Sequence, residues 1–188
     1  HSVLSPGNSK NVLTVGASVN LDNMPAFDLK MQQYDPSQQT PLRSFNDISI
    51  QYVASAFSAD LSTNIFQSIP ITIAPGSSAE ACSALVSDPN DSSNQYKNTV
   101  VVVVRGTCSF LVKATNVFNA GASAMIVINN DSSQPFVMGA DAGVPVPSFG
   151  TFSAIMISQE NGLKLLNYYS PSTTLTQSLP QFTTLSSD

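Results

Sequence analysis

One histidine, His1, and two cysteines, Cys82 and Cys108, are all the imidazole and thiol chemistry that 188 residues provide. A zinc site of His and Cys ligands takes four donors at close spacing, more than this chain can supply. A Ser-His-Asp triad would have to use His1, and a terminal side chain is not held within hydrogen-bond reach of a nucleophile. Asp88 and Asp91 are close enough in sequence to suggest acid/base work or calcium binding. Pro89 beside them and the missing ligand ladder of a calcium loop read instead as a solvated turn. The glycine of Arg105-Gly106, ahead of a helix start, could cradle phosphate. There is no GxGxxG and no GK[ST], and the acidic residue due about 20 positions on is absent, so nucleotide binding is set aside. The residues present point to no catalytic group, no metal site and no cofactor.

Charge narrows the partners. Seven Lys+Arg against twelve Asp+Glu give a net charge of -5. No basic cluster interrupts the chain, which removes nucleic acid and anionic membrane surfaces as partners. Hydrophobic residues make up 42% and charged residues only 10%, which suits a packed core and rules out charge-driven disorder. No apolar run approaches the roughly 20 residues of a membrane span. The start HSVLSPGNSK lacks the charged head and apolar centre of a signal peptide, so the chain reads as soluble and its terminus as a cut end.

The elements that would position any functional residue follow from periodicity. NVLTVGA at 11–17 reads as a short buried strand. Residues 20–45, broken by Pro25, Pro36 and Pro41, read as an irregular linker. Ile48 to Phe57 and Ile65 to Ile73 look like strands. Thr99 to Val104 and Ala124 to Ile128 are apolar on both faces, as central strands are. Between them Phe110, Ala114, Val117 and Gly121 fall at helical spacing, with Ser109 to cap the start and Gly121 to end it. Strand, helix and strand make a crossover unit with parallel strands. A second helix is expected from Gln159 to about Tyr169, with Ser158 as its cap and Leu163, Leu166 and Tyr168 or Tyr169 on its inner face. The segment 171–188 reads as a return linker with at most one edge strand. The principal module is 46–170.

Ala81-Cys82-Ser83, the block VVVVVRGTCSF, Lys113, the block NAGASAMIVINND, and VPVPS followed by AIMISQENGLKLL together resemble the protease-associated (PA) domain family. The likeness covers about 100 residues in order, with an insertion from Phe149 to Ser153 after the Val-Pro step. It implies an α+β fold, a β-sandwich or open barrel with flanking helices, and a non-catalytic interaction role. Residues 1–19 are similar to the core-strand segment of subtilisin-like serine peptidases, and FTTLSSD to the point where such a catalytic domain resumes. That pair implies a PA domain inserted in a secreted subtilase, whose own substrates and catalytic domain would be its partners. The alternative is a free-standing luminal PA domain of a sorting receptor or membrane ubiquitin ligase.

Cys82 and Cys108 flank one central strand, which favours a disulfide over two buried thiols of a cytosolic protein. Asn90-Asp91-Ser92 and Asn130-Asp131-Ser132 are glycosylation sequons in loops. Contact loops are expected at Arg105 to Ser109, Asn129 to Asp141 and Val144 to Phe149, because irregular backbone beside central strands carries function. Within them Arg105, Gly106, Thr107, Asn129, Asn130 and Asp141 are the candidate binding residues.

Overall fold

A computed structural model of the chain describes residues 29–35, 40–45, 50–59, 69–86, 94–168 and 173–177. The expected strand at 11–17, the turn at Asp88 and Asp91 and the sequon at Asn90 lie outside these residues. Strands β1 (Leu29–Asp35), β2 (Thr40–Phe45), β3 (Tyr52–Ala54), β4 (Ile69–Ile73), β5 (Val100–Val104), β6 (Ala124–Ile128), β7 (Ser153–Ile157) and β8 (Thr173–Gln177) are joined by helices α1 (Phe110–Asn119) and α2 (Gln159–Tyr168). The strand order is β2-β1-β8-β4-β5-β6-β7-β3. Its centre, β4-β5-β6-β7, is parallel, with β3 antiparallel at the β7 side. On the other side β8 pairs antiparallel with both β4 and β1.

Two cores follow from the alternation of side chains along each strand. Val101 and Val103 of β5, Met125 and Val127 of β6, and Ala154 and Met156 of β7 share one cluster with Leu111, Ala114 and Val117 of α1. Val100, Val102, Ile126, Ile128, Ile155 and Ile157 form the other, with Leu165 of α2. One helix therefore covers each face of the sheet, and the fold is α+β with the expected strand-helix-strand crossover. Each fully buried Val, Leu or Ile contributes roughly 1.5–3 kcal/mol from the water it sheds.

Local chemistry sets the ends of α1. Ser109 is extended (φ -66, ψ 157) and its Oγ accepts the Val112 N–H. Gly121, at φ +86, supplies the left-handed residue that stops the chain from continuing as helix. Leu111, Ala114 and Val117 line its buried face, so Leu111 takes the deep place expected for Phe110.

Three expectations are corrected. The 20–45 segment is not irregular throughout, since it holds β1 and β2; Pro41 is accommodated because β2 is the sheet's edge. The return segment 171–188 holds β8, which is paired on both sides and is no edge. On α2, Leu163 and Leu166 are 56% and 37% exposed while Leu165 is fully buried. The inner face runs instead through Gly162 and Leu165, because a Cβ on Gly162 would overlap Ile128 of β6.

Candidate functional site

The parallel register pairs Val104 with Ile128 and Ile128 with Ile157, so the residues that follow all three strands emerge side by side. In parallel sheets this carboxyl end is where crevices for ligands form. Arg105 and Asn129 are the first residues beyond β5 and β6. The Arg105 backbone N–H donates to the Ile128 carbonyl at 2.8 Å, and its Nη1 donates to Asn129 Oδ1 at 2.9 Å.

Asp131 completes this group. Arg105 Nη1 reaches Asp131 Oδ2 at 3.1 Å. Asn129 Nδ2 donates to Asp131 Oδ1 at 3.1 Å and to Ser133 Oγ at 3.0 Å. Asp131 Oδ1 also accepts the Ser133 N–H at 2.9 Å and the Ser133 hydroxyl. The Ser133 hydroxyl and N–H, with Arg105 adding its charge, hold the Asp131 carboxyl below its usual value. The guanidinium stands 5.0 Å from the centre of the Phe136 ring, whose centre lies 5.8 Å from that of Phe110 in a T-shaped pair. Arg105 is thus fixed from three sides, yet its side chain keeps 32% of its surface in solvent.

Gly106 and Thr107 face a second cluster. The Glu80 Oε2 accepts the Thr107 N–H at 2.7 Å and the Thr107 hydroxyl at 2.9 Å. These two bonds, with Lys113 adding its charge, keep the Glu80 carboxyl below its usual value. A Cβ at Gly106 would overlap the Glu80 carboxylate where it stands, so a larger residue there would displace the group that accepts from Thr107. Lys113 is fully buried in α1, and its Nζ donates to the Glu80 carbonyl at 2.6 Å. Burial lowers the Lys113 pKa, and Glu80 partly restores it. Ala81, in the left-handed region at φ 51, separates Glu80 from Cys82. Cys82 and Cys108 are bonded, with α-carbons 5.5 Å apart. The bond pins the Arg105–Ser109 loop to the segment carrying Glu80.

Beside the Arg105 group lies a cleft of about 500 Å³. Gln51, Ser132, Ser133, Gln134, Ser158, Gln159 and Asn161 line it with amides and hydroxyls, and Glu160 and Leu163 complete the wall. Gln159 Nε2 donates to the Asn130 carbonyl at 3.3 Å, which ties α2 to the loop after β6. Such a surface offers many neutral donors and acceptors and one carboxylate, Glu160, and Ser133 is shared between this wall and the Arg105 group. Among the described residues no group of three or more His, Cys, Asp or Glu could hold a metal ion. Among them, too, no helix is long and apolar enough to cross a membrane.

Of the six expected binding residues, the structure brings Arg105, Asn129 and Asn130 together. Asn129 is 1% exposed and acts as a bracket rather than a contact. Asn130 is exposed. Gly106 and Thr107 serve the Glu80 cluster. Asp141 is exposed farther along the β6–β7 loop, where its carbonyl accepts the Val144 N–H, and it is not among the partners of Arg105. Sequence reasoning missed Asp131, Glu80 and Phe136 as members. The Phe149 to Ser153 insertion is anchored: Phe149 meets Phe118 at 5.4 Å and Phe152 at 5.6 Å, beneath the helix.

The family model for the PA domain matches residues 68–165, more than half of the chain. The chain belongs to the PA domain family. The match opens just before β4 and ends within α2, so it takes in the Arg105 group, the Glu80 cluster and the disulfide. This PA domain is 35% identical over 88 residues to the signal peptide peptidase-like 2 protein of Arabidopsis thaliana, covering 42% of this chain and 15% of the relative. A solved zinc aminopeptidase from Bacillus subtilis is similar in fold at 20% identity with a TM-score of 0.48, over 81% of this chain and 30% of that one. A psychrophilic subtilisin-like protease from Pseudoalteromonas is similar at 15% identity with a TM-score of 0.44, over 81% and 33% of the two chains. The PA domain given by this sequence spans less than a sixth of the curated relative's length.

Proposed function

We propose that this PA domain is a non-catalytic, substrate-restricting interaction domain of a secreted subtilisin-like serine endopeptidase. The observation that carries the binding role is the Arg105 guanidinium, fixed by Asn129, Asp131 and Phe136 yet open to solvent beside a polar cleft. A preordered cation costs less to bind against, since its rotamer freedom is already spent. The subtilase host rests on the sequence of residues 1–19 and of FTTLSSD. Secretion is supported by the Cys82–Cys108 bond, which persists in oxidising compartments. Its partners are then protein or peptide substrates and the host's catalytic domain.

The binding role is tested by passing a random peptide pool over the immobilised chain and over Arg105→Ala. The domain selects sequences that the variant does not retain; a pool that passes both unselected rejects the role. The host is tested by the coding sequence downstream, where a Gly-Thr-Ser-Met nucleophile motif is expected and its absence rejects a subtilase. A luminal PA domain outside any subtilase is the second reading, favoured by one observation: the curated relative is named signal peptide peptidase-like, not subtilisin-like.

A further inference from the structure

We propose that Asn130 carries an N-linked glycan that shields the cleft beside Arg105. The inference concerns regulation of the proposed binding site: the modification rests on the proposed secretory route, and its functional consequence rests on the proposed binding role. Asn129 and Asn130 are adjacent amides with opposite fates. Asn129 is buried with its amide spent on Asp131 and Ser133, whereas Asn130 is exposed and opens the sequence Asn130-Asp131-Ser132. Ser132, the sequon hydroxyl, is exposed and lines the cleft itself. The Asn130 carbonyl is bonded to Gln159, another lining residue. An acceptor sequon needs a surface loop in a secreted chain, and the Cys82–Cys108 bond supports the proposed oxidising route.

The modification is a glycosyl transfer from a polyprenyl-diphosphate-linked oligosaccharide. A bond forms between Asn130 Nδ2 and the sugar C1 as the C1–O bond to the diphosphate breaks. Nδ2 gives up one proton and the polyprenyl diphosphate leaves. The attached sugar is bulky and strongly hydrated, and a residue at the cleft's rim places it across the approach to Ser132, Ser133 and Gln134. A glycosylated domain would then admit only a slender, extended polypeptide to the Arg105 face.

The test uses the full chain secreted from a eukaryotic host. Peptide mass mapping should find glycan on Asn130, lost in Asn130→Gln and in Ser132→Ala and kept in Asn90→Gln. In a Gln134→Cys variant, labelling by a polyethylene-glycol maleimide should quicken several-fold once the glycan is removed enzymatically. Unmodified Asn130 in the secreted chain overturns the site, and labelling unchanged by glycan removal overturns the shielding. Glycan present and labelling slowed, with no peptide selected from the random pool, would uphold this inference and reject the binding role instead.

Discussion

Gly162 of α2 rests directly on Ile128 of β6: a Cβ built on the glycine would overlap Ile128 Cγ2 and stand 2.9 Å from its Cγ1. Helix and strand approach this closely because the glycine leaves no side chain between them. In an exposed helix Gly162→Ala would gain about 1 kcal/mol of propensity. Here overpacking costs about 1–3 kcal/mol, so a net loss in urea unfolding is expected. Made in an Ile128→Ala background, where the Cγ atoms it would meet are gone, Gly162→Ala should cost less than it does in the wild type. A stabilised Gly162→Ala would refute the contact.

The same residue shows what was and was not legible in the sequence. β5, α1 and β6 could be read because their signals are local: unbroken apolar runs, Ser109 as cap and Gly121 as stop. The pairing of Arg105 with Asn129 follows from that unit, since each is the first residue after its strand. The face of α2 was misread because leucine at helical spacing normally marks the core, while close approach here selected Gly162. β1, β2 and β8 are polar, β2 carries Pro41, and β1 and β4 hold β8 across a long sequence separation that no local signal announces. Asp131 and Glu80 were missed for a related reason: Asp131 reads as the middle of a sequon, and Glu80 gains its role only when Thr107 is folded against it.

Removing the Cys82–Cys108 bond should cost about 3.5 kcal/mol on the chain-entropy account of a 26-residue separation. The Cys82→Ser, Cys108→Ser chain should unfold at lower urea than the wild type. It should also free the Arg105–Ser109 loop, read as faster amide exchange at Thr107. Unchanged exchange there would show that Glu80 alone holds the loop.

Acid should weaken the domain in a defined range. Asp131 and Glu80 both have folded pKa values below their ordinary ones. Their contributions are complete above the unfolded carboxylate range near pH ~4 and are lost as pH falls through the lower folded values. The midpoint of thermal unfolding should therefore hold between neutral pH and about 5 and drop below about 4. Asp131→Asn should show a shallower drop; a profile identical to wild type would remove Asp131 from the account. Lys113 acts in the alkaline range, since burial lowers its pKa and its contribution grows as pH rises through that depressed value.

The most direct measurement of the central claim is kcat/KM of the proposed host peptidase at full length, wild type against Arg105→Ala, on a folded protein and on a short chromogenic peptide. Arg105 makes one partly exposed ion pair, worth about 0–1 kcal/mol to stability, so the variant should remain folded. A substrate-restricting domain predicts a several-fold change on the protein substrate and none on the short peptide, which under this proposal would reach the host's catalytic centre without meeting the PA domain. Equal changes on both substrates, or no change on either, would contradict it.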